Sequence, residues 1–177
     1  YLAAHGESLR AIDSPSAPPV LEELRVECPE ATVVLESLDE RWLDGVARVI
    51  VSPGLGADIP LVAEARRRGL EVLGDVELFA RDPRAAQSPV LAVTGSNGKS
   101  TVTTLVAKLL ASQGMRALAG GNLGPPALDL LNETADAYVL EISSFQMETT
   151  TSLAPRAAAV LNVSADHLGL HGINTLE

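Results

Sequence analysis

Apolar residues along this chain come in short blocks rather than in one long run. Blocks rich in aliphatic and β-branched side chains predict strands at residues 8–12, 31–35, 46–51, 70–73, 90–93, 115–119, 137–142 and 157–163. The last block is apolar almost without interruption. Such a run is typical of a parallel strand that is buried on both faces.

The segments between several of these strands have helical periodicity. Apolar positions predict helices at residues 59–68, 99–112 and 126–131, and a turn or short helix at 39–44. Pro60 suits the first turn of a helix, while Gly69 and Gly114 each follow a last turn. Strands that alternate with helices in this way predict an α/β fold with parallel, doubly wound sheets.

A polar stretch that contains Pro83 and Pro89 divides the chain into two predicted domains. We place a linker at residues 83–89, one domain at 1–82 and a second at 90–177. The chain opens within a helical turn that ends at Gly6, so we expect a first strand and turn to be missing. The second domain is expected to be truncated too, since the sequence stops before a sheet of ordinary size could close.

Composition narrows the class of protein. The chain has 177 residues, of which 46% are hydrophobic, and this is enough for one good core or two small ones. It contains neither an apolar segment of about 20 residues nor a signal sequence at its start. Cys28 is the only cysteine, so the chain can form no internal disulfide. These features predict a cytoplasmic protein.

The formal net charge of −10 bears on the choice of partner. Nucleic acids and anionic membranes are bound by clustered Lys and Arg, so we predict neither as a partner. An anionic small molecule is still allowed, because local N–H donors and a metal ion can offset the charge. Alternatively, the negative charge has no role in binding and only keeps the protein soluble.

The strongest functional signal is a glycine-rich loop between a predicted strand and a predicted helix. Its sequence is TGSNGKST, and its candidate nucleotide-binding residues are Gly95, Ser96, Asn97, Gly98, Lys99, Ser100 and Thr101. Glycines let the backbone approach a phosphate closely, and the N–H groups at the start of the helix point towards the anion. In such loops the lysine reaches the outer phosphates and the following hydroxyl binds Mg²⁺.

This loop is shorter than the common phosphate-binding pattern, which would require glycine where Val93 stands. A chance glycine-rich turn is the alternative interpretation. The strand before the loop, the helix after it and the Lys-Ser-Thr sequence at their junction favour a nucleotide site. We therefore predict that the chain binds a nucleoside triphosphate with Mg²⁺.

Other motifs accompany the loop. They are GGNLG at 120–124, LEISSFQ at 140–146, LNVSADH at 161–167, SPG at 52–54 and GDVEL at 74–78. Together with the short loop, these motifs resemble those of the Mur ligase family. The resemblance spans most of the chain and is strongest to the family members that add D-glutamate. It implies a Rossmann-like domain that binds a UDP-linked substrate, followed by an ATP-binding central domain, both incomplete here.

The resemblance also implies an activity. ATP would phosphorylate the carboxylate of UDP-N-acetylmuramoyl-L-alanine, and the amine of D-glutamate would then attack the acyl phosphate, in a cytoplasmic step of peptidoglycan precursor synthesis. It implies a monomer that uses ATP and Mg²⁺. The third domain, which binds the amino acid in this family, would be absent, so we expect this chain to be inactive alone.

Individual residues match the functional positions of the family. Lys99 and His167 match catalytic residues, and Ser100, Glu141 and His167 match metal ligands. The positions that match substrate-binding residues are Ser14, Ser52, Gly54, Asn122, Ser143 and Gln146. A carboxylate at the end of a buried strand, as predicted for Glu141, also suits Mg²⁺ on chemical grounds.

Three other hypotheses stay open at this stage. One is a related ligase that adds glutamate to folate, which the motifs at 52–54 and 144–146 disfavour. Another is a P-loop ATPase that binds a partner and catalyses no ligation. The third is a dinucleotide-binding dehydrogenase, which only Asp13 at the end of a strand suggests.

Overall fold

The computed structural model describes residues 1–53, 55 and 59–165, in which strands and helices alternate. The strands are β1 (Arg10–Asp13), β2 (Thr32–Leu35), β3 (Arg48–Ile50), β4 (Glu71–Leu73), β5 (Val90–Thr94), β6 (Ala117–Gly121), β7 (Ala137–Glu141) and β8 (Ala157–Val160). The α-helices are α1 (Leu21–Glu27), α2 (Pro60–Arg67), α3 (Asp75–Arg81), α4 (Lys99–Ser112) and α5 (Ser144–Glu148). Short 3-10 helices span Ala3–His5, Glu40–Leu43, Ala85–Gln87 and Ala127–Asn132. The described strands pair in parallel, and the predicted α/β class is confirmed.

In the N-terminal half the strands form two separate parallel pairs. β1 pairs with β2, and β3 pairs with β4. A cavity of about 480 Å³ is lined by residues of both β1 and β3. Long side chains cross between the pairs: Arg10 donates to the carbonyl oxygens of Trp42 and Asp44, and Arg48 pairs with Glu7. The doubly wound sheet predicted for this half is therefore present as two pairs, because β1 and β3 share no backbone hydrogen bonds.

The second half is built on a four-stranded parallel sheet in the order β6-β7-β5-β8. All five residues of β7 are buried, which is typical of a parallel strand that is covered on both faces. The main hydrophobic cluster lies against this sheet; its buried members are Val76, Phe79, Ala85, Val90, Ala127, Leu130, Leu131, Tyr138, Leu140 and Ile142. The rings of Phe79 and Tyr138 meet edge to face with their centroids 5.2 Å apart. Helix α3 thus packs in the core of the second half, although it precedes the predicted linker at 83–89.

The outermost strand, β8, differs from its prediction. Within the predicted range 157–163 a strand forms at Ala157–Val160, but all four of its residues are exposed. β8 pairs with β5 along one edge, and no other strand in the described part of the chain pairs with its second edge. The predicted burial on both faces is therefore wrong. A continuous apolar run shows that a strand could be buried, but it does not show what would cover it.

Strand β6 begins and ends two residues later than predicted, because its last two glycines belong to the sheet. A Cβ on Gly120 would lie 2.5 Å from the carbonyl oxygen of Pro125. A Cβ on Gly121 would lie 2.5 Å from the carbonyl oxygen of Glu141. Only glycine permits an approach this close. The GGNLG motif at 120–124 therefore begins within a strand that packs tightly against its neighbours.

The helices follow their local signals where these are strong. Helix α4 spans the residues predicted for it, and Pro60 lies in the first turn of α2. No helix in the described ranges is long and apolar enough to cross a membrane. Helices α3 and α5 were not predicted as helices, because seven and five residues are too few to show a period. A capping box formed by Ser143 and Gln146 begins α5.

A buried carboxylate joins α3 to the loop that follows α5. Glu77 is fully buried, and its Oε2 accepts hydrogen bonds from the backbone N–H groups of Thr151 and Ser152, at 2.6 and 2.9 Å. Its Oε1 accepts from the hydroxyls of both residues and from Arg81 on the next turn of α3, the last at 2.7 Å. Burial alone would raise the pKa of Glu77. The hydrogen bonds, led by those from Ser152, outweigh burial and lower the pKa to about 2.

We expect Glu77→Gln to lower the free energy of unfolding at pH 7 by about 2–4 kcal/mol. The amide NH₂ group would face hydrogen-bond donors in a buried site, and neither side would have an acceptor. Urea unfolding of both proteins measures the difference. Glu71→Gln is the matched control, since Glu71 contacts the same Arg81 at the surface. It should cost less than about 1 kcal/mol.

The same carboxylate should make stability depend on pH. A carboxylate whose pKa is lowered by folding stabilises the native state above its unfolded pKa, and this contribution is lost as the pH falls through its folded pKa. The difference between the chain and Glu77→Gln should therefore shrink as the pH falls from 4.5 to about 2. A difference that stayed constant over this range would contradict the assignment.

Candidate nucleotide and substrate site

The glycine-rich loop lies between β5 and α4, at the C-terminal edge of the four-stranded sheet. Gly95 and Gly98 both have positive φ angles, 141° and 82°, which side chains other than hydrogen rarely allow. Gly98 precedes the first turn of α4, and no side chain caps that turn. No acidic residue lies in the turn either. The N–H groups at the start of a 14-residue helix are therefore open to an anion.

The Lys99 ammonium folds back over this loop. Its Nζ donates to the carbonyl oxygens of Gly95 at 2.7 Å and Ser96 at 3.2 Å. These contacts hold the positive charge above the loop, where the outer phosphates of a nucleotide would lie. Ser100 and Thr101 follow in the first turn of α4, and both are exposed. The structure thus brings all seven predicted nucleotide-binding residues into one loop and helix start.

Glu141 is the last residue of β7, directly beside the strand that leads into this loop. It pairs in register with Val93 of β5 and with Gly121 of β6, and only 2% of its surface is exposed. One carboxylate oxygen accepts a hydrogen bond from the Asn122 side chain at 2.7 Å. The other, Oε2, is buried and has no hydrogen-bond partner. A buried carboxylate oxygen without a donor is costly, so this atom needs a cation or water.

These residues fit a Mg²⁺ ion. Mg²⁺ prefers oxygen ligands, and it is often held by one or two carboxylates together with water and substrate phosphates. Glu141 supplies such a carboxylate beside the phosphate loop, and the Ser100 hydroxyl would supply a second oxygen. The described residues contain no group of three or more His, Cys, Asp or Glu that could hold a metal by themselves.

Asn122 lies where β6 ends, and its position depends on Glu141. Its backbone N–H donates to the carbonyl oxygen of Glu141 at 2.8 Å, in addition to the side-chain contact. The residue is nevertheless exposed. Its side chain can therefore reach a ligand at the C-terminal edge of the sheet while it orients the buried carboxylate.

Ser143 and Gln146 are used within the protein. The Ser143 hydroxyl accepts the backbone N–H of Gln146, and the Gln146 side chain accepts from the Ser143 backbone. Only 2% of Gln146 is exposed, and its amide nitrogen donates to both carboxylate oxygens of Asp75 at 3.2 and 3.3 Å. This pair joins α5 to the start of α3. No sequence pattern indicated the contact with Asp75.

The remaining predicted substrate residues lie in the N-terminal half. Ser52 is exposed and lines a narrow crevice together with Asp75 and Gln146. Ser14 is also exposed, and it lines the cavity of about 480 Å³, as does Asp13. Two predicted residues, Gly54 and His167, lie outside the residues that the structure describes.

Comparison with known proteins identifies two segments of the chain. Residues 1–74 match the family described as Mur ligase MurD-like, N-terminal domain, and residues 93–176 match Mur ligase middle domain. Two curated relatives are named UDP-N-acetylmuramoylalanine--D-glutamate ligase. The protein from Marinobacter nauticus is 48% identical to this chain and that from Alcanivorax borkumensis is 49% identical, each over 168 residues. Each alignment covers 95% of this chain, and the chain spans 37% of the length of either relative.

Solved structures show the same fold at lower identity. The UDP-N-acetylmuramate:L-alanyl-gamma-D-glutamyl-meso-diaminopimelate ligase from Neisseria meningitides has a TM-score of 0.54 and 19% identity, over 96% of this chain and 57% of that protein. The UDP-N-acetylmuramate-alanine ligase from Thermotoga maritima has a TM-score of 0.54 and 20% identity, over 99% of this chain and 40% of that protein. These likenesses concern the fold alone. The two family matches follow one another along the chain, and relatives of almost half identity cover 95% of it: this chain belongs to the Mur ligase family, and it carries the N-terminal and middle domains.

Proposed function

We propose that this chain is part of an ATP-dependent ligase that adds D-glutamate to UDP-N-acetylmuramoyl-L-alanine in cytoplasmic peptidoglycan precursor synthesis. The observation that carries the proposal is the position of Glu141. Its unpartnered oxygen lies at the end of β7, beside the strand that leads into the phosphate loop. The relatives that are 48% and 49% identical to this chain carry the name of this ligase.

The chemistry brings anions together, and the chain's residues would offset that charge. The N–H groups at the start of α4 and the Lys99 ammonium bind the nucleotide phosphates. Glu141 and Ser100 would hold Mg²⁺, which when bound would offset negative charge on the phosphates. The substrate carboxylate takes the outer phosphoryl group of ATP, with ADP leaving. The amine of D-glutamate then displaces phosphate from the acyl group and forms the amide.

The remaining roles follow from the resemblance. His167, like Lys99, has a catalytic role, and it is a further metal ligand. The residues that contact the UDP-linked substrate are Ser14, Ser52, Gly54, Asn122, Ser143 and Gln146. Residues 1–82 form the UDP-substrate domain, 83–89 the linker and 90–177 the nucleotide domain, in a protein that acts as a monomer. The contact between Gln146 and Asp75 supports an additional role for Gln146, because both residues line the same crevice as Ser52.

Calorimetric titration with UDP-N-acetylmuramoyl-L-alanine tests the substrate, with and without Mg²⁺ and a non-hydrolysable ATP analogue. We expect the UDP-sugar to bind and the nucleotide to strengthen its binding. Asn122→Ala should weaken UDP-sugar binding by about tenfold, since it removes a polar contact at the edge of the sheet. The control is Asn132→Ala, at an exposed position in the 3-10 helix Ala127–Asn132. Nucleotide binding without any affinity for the UDP-sugar would instead favour a P-loop ATPase with no ligation chemistry.

Replacing the buried carboxylate tests the metal. Glu141→Gln keeps the shape of the side chain and removes its charge, so Mg²⁺ should strengthen nucleotide binding about tenfold less than in the unmodified chain. Affinity for the nucleotide in EDTA should stay unchanged. Glu133→Gln is the control, because Glu133 forms an exposed ion pair with Arg116. An equal effect of Mg²⁺ in both variants would count against a metal at Glu141.

A further inference from the structure

The segment that follows β8 contacts the phosphate loop through its backbone. Past the last paired residues of β5 and β8, the Leu161 N–H donates to the carbonyl oxygen of Thr94 at 3.0 Å. The Ser96 N–H then donates to the carbonyl oxygen of Asn162 at 3.1 Å. The Ser164 N–H donates to the Ser96 hydroxyl oxygen at 2.9 Å. Backbone contacts between the two chain segments therefore continue beyond the end of the sheet.

The Asn162 side chain extends this pairing to the next residue of the loop. Its Oδ1 accepts the Asn97 N–H at 2.8 Å, and its Nδ2 donates to the Asn97 carbonyl oxygen at 2.9 Å. A carboxamide carries a donor and an acceptor side by side, so it can satisfy both backbone groups of one residue, as a strand would. Aspartate has the acceptor without the donor, and alanine has neither.

The loop glycine permits this contact. A Cβ on Gly95 would lie 3.1 Å from the backbone nitrogen and oxygen of Asn162 and 3.1 Å from the Leu161 side chain. These distances are shorter than ordinary contacts, and the φ angle of 141° would strain any other residue. Glycine is therefore required at position 95 for a structural reason, which is separate from the close approach of a phosphate.

The pairing also decides which N–H groups remain for a phosphate. The N–H groups of Ser96 and Asn97 are both taken by Asn162. The N–H groups at the start of α4, from Gly98 onwards, stay open, because they have no partner within the helix. The loop is then a fixed support, and the helix start is the surface that meets the anion.

We propose that Asn162 is a positioning residue that holds the phosphate loop in its nucleotide-binding shape, and that the Ser96 and Asn97 N–H groups do not contact the nucleotide. This inference rests on the proposed nucleotide site. Among the seven residues of that site, it separates those that support the loop from those that touch the ligand. Pre-organisation of this kind favours binding, because the loop is already ordered when the ligand arrives.

The direct test is the hydrogen bond itself, measured by NMR as the scalar coupling between the Asn97 backbone nitrogen and the Asn162 side-chain carbonyl carbon. The coupling should be present in the free chain and should persist with Mg²⁺ and a non-hydrolysable ATP analogue. The amide signals of Lys99 and Ser100 should move most when the analogue binds. Loss of the coupling on binding would overturn the inference, because Asn97 would then have turned to the nucleotide.

Variants test the consequence for affinity. Asn162→Ala should weaken binding of the ATP analogue by roughly 3- to 30-fold, since two hydrogen bonds are lost, and Asn162→Asp should weaken it as well. The exposed Asn132→Ala is the matched control. Affinity for the UDP-sugar measured without nucleotide should stay the same in all variants, whereas general loss of structure would lower it.

The possible failures are distinguishable. If neither the unmodified chain nor Lys99→Ala binds the ATP analogue, the proposed nucleotide site fails and the inference fails with it. If the unmodified chain binds the analogue, Lys99→Ala binds it weakly and Asn162→Ala binds it normally, the site stands and the positioning role of Asn162 is refuted.

Discussion

The pairing of β5 with β7 is the constraint on which the site depends. It places the loop that leaves β5 beside Glu141 at the end of β7, with Val93 and Glu141 in register. β6 pairs with the other edge of β7, and the Glu141 side chain lies in the interior rather than in solvent. Burial of a carboxylate is costly unless a partner offsets it. The pairing of the strands therefore sets the position of the carboxylate, and its burial leaves an oxygen that needs a cation or water.

Local signals allowed the loop and its helix to be predicted from the sequence, whereas the elements set by distant contacts could not be. Helix α4 was predicted with its observed ends because Gly98 and Gly114 mark them directly. Helix α3 was not predicted, because its seven residues are too few to show a period and its place depends on the packing of Phe79 against Tyr138, 59 positions along the chain. The burial of β8 was predicted wrongly for a related reason. An apolar run specifies what a strand tolerates, and only the tertiary structure specifies its neighbours.

The site, too, has parts that could be predicted from the sequence and parts that depend on distant contacts. The phosphate loop followed from residue types and spacing, and the family resemblance supplied Glu141 and Asn122. The hydrogen bond between these two residues, and the oxygen that it leaves without a partner, could only be seen in the structure. Asn162 belonged to a motif that was recognised, but nothing in the sequence indicated that its side chain pairs with Asn97. Contacts between residues 65 positions apart leave no local pattern to read.

The charge of the protein explains why the site relies on backbone groups. From Val90 to the end of the sequence the basic side chains other than histidine are Lys99, Lys108, Arg116 and Arg156. Arg116 is paired with Glu133, so few cations remain to hold a triphosphate in a chain with a net charge of −10. Partial positive charge at a helix start adds attraction without adding a side chain, but it acts only if the N–H groups keep a fixed direction. A loop braced by a neighbouring strand supplies that direction, and a carboxylate with a free oxygen supplies a place for a divalent cation. The chain has few cationic side chains at this site. The order of the strands and the glycines of the loop instead place backbone N–H groups where they can attract an anion.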